Sequence, residues 1–378
     1  LSHKLSYSLN AFTGTRSDRF ISSHFSAFAR AIMQVLRNAL FLAYGNANFT
    51  RSAFLKRAKS FEDADEKAAE SAGAVAPEPA AAADARRQRD MEGRVCVVTG
   101  GNQGIGRAAA TAMAQRGATV HIVCRNEARG AAAASEIAAQ TGNDQVFLQV
   151  CDLSSLAQIR ALVTRLVSLD SPVHVLVNNA GVMEHERKTS PDGFELNFAV
   201  NVLGTFVLTE ALLPLLQRAA PEAKVITVAT GGILTQPLST DLQMENANFD
   251  GTDAYARNKR VQVALTEKWA ELYGVQAGGV GFYSMHPGWV DTAVLQTSMP
   301  GFYNTFKTSL RKPEEGADTI VWLARQPESK LVNGSFYFDR QVASKHLPLA
   351  GTEHKKEDVD EIYTKLKHLA EVSTEKEQ

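Results

Sequence analysis

The sequence predicts an α/β fold: a single domain on a doubly wound parallel sheet with helices on both faces, preceded by a poorly ordered or partly helical N-terminal extension. Three observations carry this reading. Short apolar runs (VCVVTG, VHIVCR, VFLQVCD, VHVLVNNAG, KVITVAT and GVGFYSMHPG) recur between residues 93 and 350. They are continuous and rich in Val and Ile, as strands covered on both faces are. Helical stretches separate them, and strand–helix repetition of this kind builds a parallel sheet.

Four regions follow one another along the chain. Residues 1–60 carry one acid, Asp18, against nine basic side chains, a composition similar to an organelle transit peptide. Within them Phe25, Phe28, Ile32, Val35, Leu36, Ala39 and Leu40 recur at three- and four-residue steps. A helix with that face over residues 25–40 suits either peripheral contact with a membrane surface or packing on its own domain. Residues 61–92, Ala-rich with Pro77 and Pro79, read as a flexible tether. Residues 93–350 form the α/β domain. Residues 351–378 are charged, with Val359, Ile362, Tyr363, Leu366 and Leu369 on one edge, and predict a terminal helix docked on the domain.

Composition excludes several classes. Forty basic against 41 acidic side chains give a net charge of −1, without the basic surplus that nucleic-acid binding needs. Cys96, Cys124 and Cys151 have no C-x-x-C spacing and suit buried thiols in a reducing compartment, cytoplasmic or within an organelle. No run of about 18 uninterrupted apolar residues predicts a membrane span. No His/Cys/Asp cluster has metal-ligand spacing, and Ser/His/Asp hydrolysis lacks its elbow.

The first run leads into Thr99-Gly100-Gly101-Asn102-Gln103-Gly104-Ile105-Gly106 and then an Ala-rich helix. Small residues there let the backbone turn tightly and bring a pyrophosphate to the helix amino end. The second run ends at Arg125-Asn126, where an NAD-selective enzyme usually places a carboxylate. A guanidinium pairs with a 2′-phosphate, which favours NADP(H) over NAD(H). The third run ends at Asp152-Leu153, where a carboxylate can accept from an adenine amino group, and the fourth at Asn178-Asn179-Ala180-Gly181.

Together, TGGNQGIG at 99, NNAG at 178 and YARNK at 255 resemble the short-chain dehydrogenase/reductase family over roughly residues 93–300, on a Rossmann-type domain. Finer features (VHIVCRN, FDGTDAYARNKR, SMHPGW and HLPLA) are similar to the member 12 group of that family, in its retinol-dehydrogenase-like branch. Tyr255 and Lys259 are four apart and share a helix face. A neighbouring ammonium and an oxidised nicotinamide are expected to lower the phenol from its usual value of about 10. Tyr255 would then exchange a proton with a carbonyl oxygen as hydride moves. The resemblance implies that Lys259 also holds the nicotinamide ribose and that Asn201 positions a water. It also implies that Pro287, Gly288 and Thr292 contact the nicotinamide carboxamide. The family's serine is replaced by Thr230, whose extra methyl stiffens χ1. His286 reads as a packing residue.

Beyond Thr292, Leu295, Met299, Phe302, Tyr303 and Phe306 predict a lid over a small hydrophobic carbonyl or alcohol, and equally suit the core of lid helices. The expected function is an NADP(H)-dependent oxidoreductase with Tyr255, Lys259, Thr230 and Asn201 as its working group. The rival reading is a dinucleotide-binding scaffold that has lost turnover.

Overall fold

The computed structural model describes residues 16–71, 89–245, 248–275 and 279–375, with side chains of 16–31, 62–71 and 372–375 outside the description. The side chains of Phe25 and Phe28 of the expected stripe, and residues 72–88 of the expected tether, therefore lie outside the description.

The strands are β1 (Val95–Thr99), β2 (Thr119–Cys124), β3 (Val146–Val150), β4 (Val175–Asn178), β5 (Lys224–Val228), β6 (Gly281–His286), β7 (Phe336–Phe338) and β8 (Gln341–Val342). They pair in the order β3-β2-β1-β4-β5-β6-β7-β8. All pairings are parallel except β7–β8. The order reverses between β1 and β4, and in open sheets ligands bind where the carboxyl ends of the strands diverge at such a point. Six strands follow the apolar runs. The last two, three and two residues long, are too short to show a period.

The helices are α1 (Arg16–Asn48), α2 (Arg51–Ser71), α3 (Gly104–Gln115), α4 (Glu127–Thr141), α5 (Leu156–Ser168), α6 (Leu196–Gln217), α7 (Gly251–Tyr273), α8 (Ala293–Ser298), α9 (Pro300–Phe306), α10 (Pro313–Arg325) and α11 (Lys356–Glu375). Their starts follow local chemistry. Asn126, Ser155 and Asp250 each accept a first-turn backbone N–H, capping α4, α5 and α7. Apolar faces of α5, α6, α7 and α11 fill one side of the sheet, and α3, α4 and α10 the other. Helix α6 has the length and composition of a membrane span, yet most of it is buried in this core. In α11, Val359, Ile362, Tyr363 and Leu366 are buried, as the apolar edge predicts.

A third cluster lies at the carboxyl ends of β5 and β6. It joins Phe49, Ala229, Ile233, Leu234, Trp289 and Leu310, with Phe41, Phe302 and Phe306 against them. Phe41, Gly45 and Phe49 thus bring the N-terminal extension onto the domain, while Ile32, Val35 and Leu36 of the expected stripe stay exposed. The tether reading also needs correction at its ends. Helix α2 runs on to Ser71 with Phe61 buried against Phe54, and Met91 is fully buried on the sheet. An Ala-rich composition conceals such isolated anchors. All three cysteines are buried and free.

Candidate active site

A cleft of about 270 Å³ opens above β1 and β4. Of the residues expected to hold a dinucleotide, Gly100, Asn102, Gln103, Arg125, Asn126, Asp152 and Leu153 line it. Gly100 and Gly104 take left-handed backbone angles, φ +65° and +54°. A Cβ on Gly106 would stand 2.4 Å from both the Gly100 carbonyl and Asn179 Nδ2. Gln103 makes no side-chain cap on α3, which leaves first-turn N–H groups without that acceptor.

Other predicted residues build the walls instead of lining the groove. Thr99 is buried; its hydroxyl donates to Val177 O (3.1 Å) and accepts from the N–H groups of Asn179 and Ala180 (both 2.9 Å). Asn179 Nδ2 donates to Thr99 O at 2.8 Å, so this pair stitches the ends of β1 and β4 together. Ile105, in the first turn of α3, packs against the core. Thr292 caps α8 through Leu295 N, and its methyl would lie 3.4 Å from a Cβ on Gly104, so the 287–292 turn closes over the glycine loop. Pro287 and Gly288 lie farther back, against Arg311.

At the adenosine end, Arg125 and Asn126 are exposed. Sequence reasoning missed Arg129, which also lines the cleft from the first turn of α4. The signal was present as a second arginine four residues after the first. Neither guanidinium forms an ion pair among the described residues. Asp152 Oδ1 accepts from Ser154 N and Oγ (2.9 and 2.8 Å), a turn that fixes the carboxylate at the strand tip.

At the other end, Lys259 is buried, and Nζ donates to Val228 O at 2.8 Å. Nζ stands 5.6 Å from the centroid of the half-buried Tyr255 ring. A Cβ on Gly181 would lie 3.3 Å from Asn201 Oδ1 and 3.5 Å from Lys259 Nζ, so the NNAG loop, α6 and α7 converge here. Thr230 caps the 3₁₀ turn Gly231–Leu234, with Oγ1 accepting from Gly232 N at 3.3 Å and its own proton free to donate. A Cβ on Gly232 would touch both Thr230 Cγ2 (3.2 Å) and Ala256 Cβ (3.5 Å), which brings that turn against the residue after Tyr255.

Asn201 lies in a π-helical turn, Ala199–Gly204, and both ends of its amide bond to the Val182 backbone (2.9 Å each). The side chain anchors the chain just after the NNAG loop, which accounts for an asparagine in mid-helix. Within the protein alone, burial pushes Tyr255 up to about 12 and Lys259 down to about 7. Desolvation wins because a lysine held near neutrality, across 5.6 Å, offers its neighbour little positive charge. His286 is a packing residue, stacked on Phe338 and edge-on to Phe49.

The family model for short chain dehydrogenases matches residues 94–301. Dehydrogenase/reductase SDR family member 12 of Homo sapiens is 39% identical over 341 residues, covering 90% of this chain and 99% of the relative. Retinol dehydrogenase 11 of Mus musculus is 36% identical over 255 residues, 67% of this chain and 80% of the relative. A solved short chain dehydrogenase/reductase family protein superposes with a TM-score of 0.52 at 28% identity, covering 66% of this chain and 96% of that one. With its doubly wound sheet and its glycine loop, NNAG turn and Tyr–Lys helix at one crevice, the chain belongs to the short-chain dehydrogenase/reductase family of oxidoreductases.

Proposed function

We propose that the chain is an NADP(H)-dependent oxidoreductase that interconverts a hydrophobic carbonyl and its alcohol, with Tyr255 as general acid and base. The observation that carries this reading is the convergence of Tyr255, Lys259 and the Thr230 turn behind Gly181, which lines a cleft whose far end presents two exposed arginines, Arg125 and Arg129. The residues fit a dinucleotide. The glycine loop leaves a cradle that a Cβ would fill, α3 begins without a cap, and Arg125 and Arg129 suit a 2′-phosphate.

When bound, the nicotinamide gives or takes the hydride. Tyr255 donates its phenolic proton to the carbonyl oxygen during reduction, and Thr230 Oγ1 donates a hydrogen bond to the same oxygen. A phenol held near 12 is fully protonated at neutral pH, which suits reduction. Oxidation needs the phenolate and gains rate as pH rises. Lys259 would hold the nicotinamide ribose hydroxyls. Val182, Met183 and Val294 give the cleft apolar walls at this end. Together with the retinol dehydrogenase relative, they favour a retinoid, steroid or lipid aldehyde or ketone.

The test is a panel of such carbonyls with NADPH, for wild type and Tyr255→Phe. Loss of the phenol should cost about 10²- to 10⁴-fold in kcat and leave NADPH affinity unchanged. Turnover of no carbonyl, or a rate indifferent to Tyr255→Phe with NADPH still bound, would favour the scaffold reading.

A further inference from the structure

Phe49 lies in the turn between α1 and α2, ahead of the residues the family model covers, and is 2% exposed. Its ring and its carbonyl reach two different parts of the site. Gly231 directly follows Thr230. A Cβ there would stand 2.7 Å from Phe49 Cε2, 3.0 Å from Phe41 Cε2 and 3.1 Å from His286 Nε2. The ring therefore rests on the backbone that carries the Thr230 hydroxyl.

The Phe49 carbonyl accepts from Trp289 N (2.9 Å) and Arg311 Nε (3.0 Å). Arg311 in turn donates to Pro287 O at 3.3 Å and grips the Asp339 carboxylate with both Nη atoms (2.6 and 3.0 Å). Gly288 (φ +83°) has no room for a side chain beside that guanidinium. The Trp289 ring meets Phe302 and Phe306 of α9 at 4.9 and 4.7 Å, so the same contact extends into the lid. Gly45 lets α1 come this close, since a Cβ there would lie 2.4 Å from Trp289 Cζ2.

We propose that Phe49 is a positioning residue that holds the Thr230 turn and the 287–292 turn in register with each other. The helix pair ahead of the family's shared region is then part of the active-site frame. Phe49 acts through Gly231 and Trp289 and touches no substrate. The kinetic consequence rests on the oxidoreductase reading; the structural one does not.

The test compares Phe49→Ala and Phe49→Leu with Phe61→Ala. Phe61 is another buried ring of the same helix pair, under Arg340 and without a ring contact to the Thr230 turn among the described residues. Amide hydrogen exchange over residues 229–235 and 288–292 is the first readout, and kcat and KM are the second. In Phe49→Ala both segments should exchange roughly 10-fold faster or more, with the glycine loop unchanged. Phe61→Ala should leave both segments as in wild type. The kcat should fall by about 10-fold or more while KM for the dinucleotide stays within roughly 3-fold, and Phe49→Leu should recover most of the loss. Should Phe49→Ala fail to fold, Phe49→Leu against Phe61→Ala carries the same comparison, with both segments loosened to a smaller degree. Equal exchange in the Phe49 and Phe61 variants, loosening spread evenly over the chain, or an unchanged kcat would overturn the proposal. If wild type turns over no carbonyl, the oxidoreductase reading fails, and the exchange pattern alone decides whether Phe49 positions the two turns.

Discussion

The two ends of the cleft are built by different means. At the dinucleotide end, backbone shape does the work: positive-φ glycines, an uncapped helix start and a threonine–asparagine stitch between adjacent strands. At the chemical end, the Tyr–Lys pair sits on one helix, but its surroundings are assembled from distant segments through aromatic packing and one buried arginine. Backbone shape tolerates little change and is written in short motifs. Packing between distant segments tolerates more change and leaves no local trace.

That contrast sets how much could be read from the sequence. The glycine loop, the NNAG turn and Tyr255–Lys259 were legible because each places its partners within a few residues or on adjacent strands. Phe49 was not, since its carbonyl meets Arg311 across 262 residues. Nothing near either residue marks the pairing. The π-turn at 199–204 also escaped, because Asn201 is held by Val182, 19 residues earlier. Tyr255 and Lys259 were legible as a pair but not in their ionisation. Spacing gives proximity, whereas ionisation depends on how deeply the surrounding elements bury the pair.

The largest effect should come from breaking the backbone-built end. Gly106→Ala places a methyl 2.4 Å from a backbone carbonyl, which no rotamer change relieves. Overpacking of this kind costs about 1–3 kcal/mol of stability. Dinucleotide affinity, read by titration, should fall by about 100-fold or more as the loop shifts. Unchanged affinity would mean that the glycine loop is less constrained than the aromatic end, reversing the comparison.

A smaller effect, confined to one cofactor, should follow from changing the exposed charges. Charge-assisted bonds contribute about 1.5–3 kcal/mol each. Replacing either Arg125 or Arg129 with Gln should therefore weaken NADPH by roughly 10- to 100-fold and NADH by less than about 3-fold. Equal losses for both cofactors would place the arginines away from the 2′-position, leaving the preference for NADP(H) without support.

The smallest effect lies in the chemical end's own stability, and its sign is informative. Lys259 titrates near 7 in the folded protein and near its ordinary 10.5 when unfolded. Between those values the unfolded chain binds a proton that the folded chain does not, so this group makes stability rise with pH. Below pH 7 both states are protonated, and the cost of burying the ammonium is fully present. Above about pH 9 the trend turns, because Cys96 and Tyr255 are each pushed up to about 12 and keep protons that the unfolded chain loses. Lys259→Met removes the buried cation while keeping its length. It should raise Tm at pH 7 by roughly 2–4 °C for each kcal/mol relieved, and flatten the climb in Tm between pH 7 and 9. The same variant should lose turnover, because a site that spends stability to hold a charge has usually kept it for chemistry. A variant with wild-type Tm and an unchanged pH slope would mean that Lys259 is solvated in solution. The chemical end would then be as open as the adenosine end, and the contrast between the two would lose its electrostatic half.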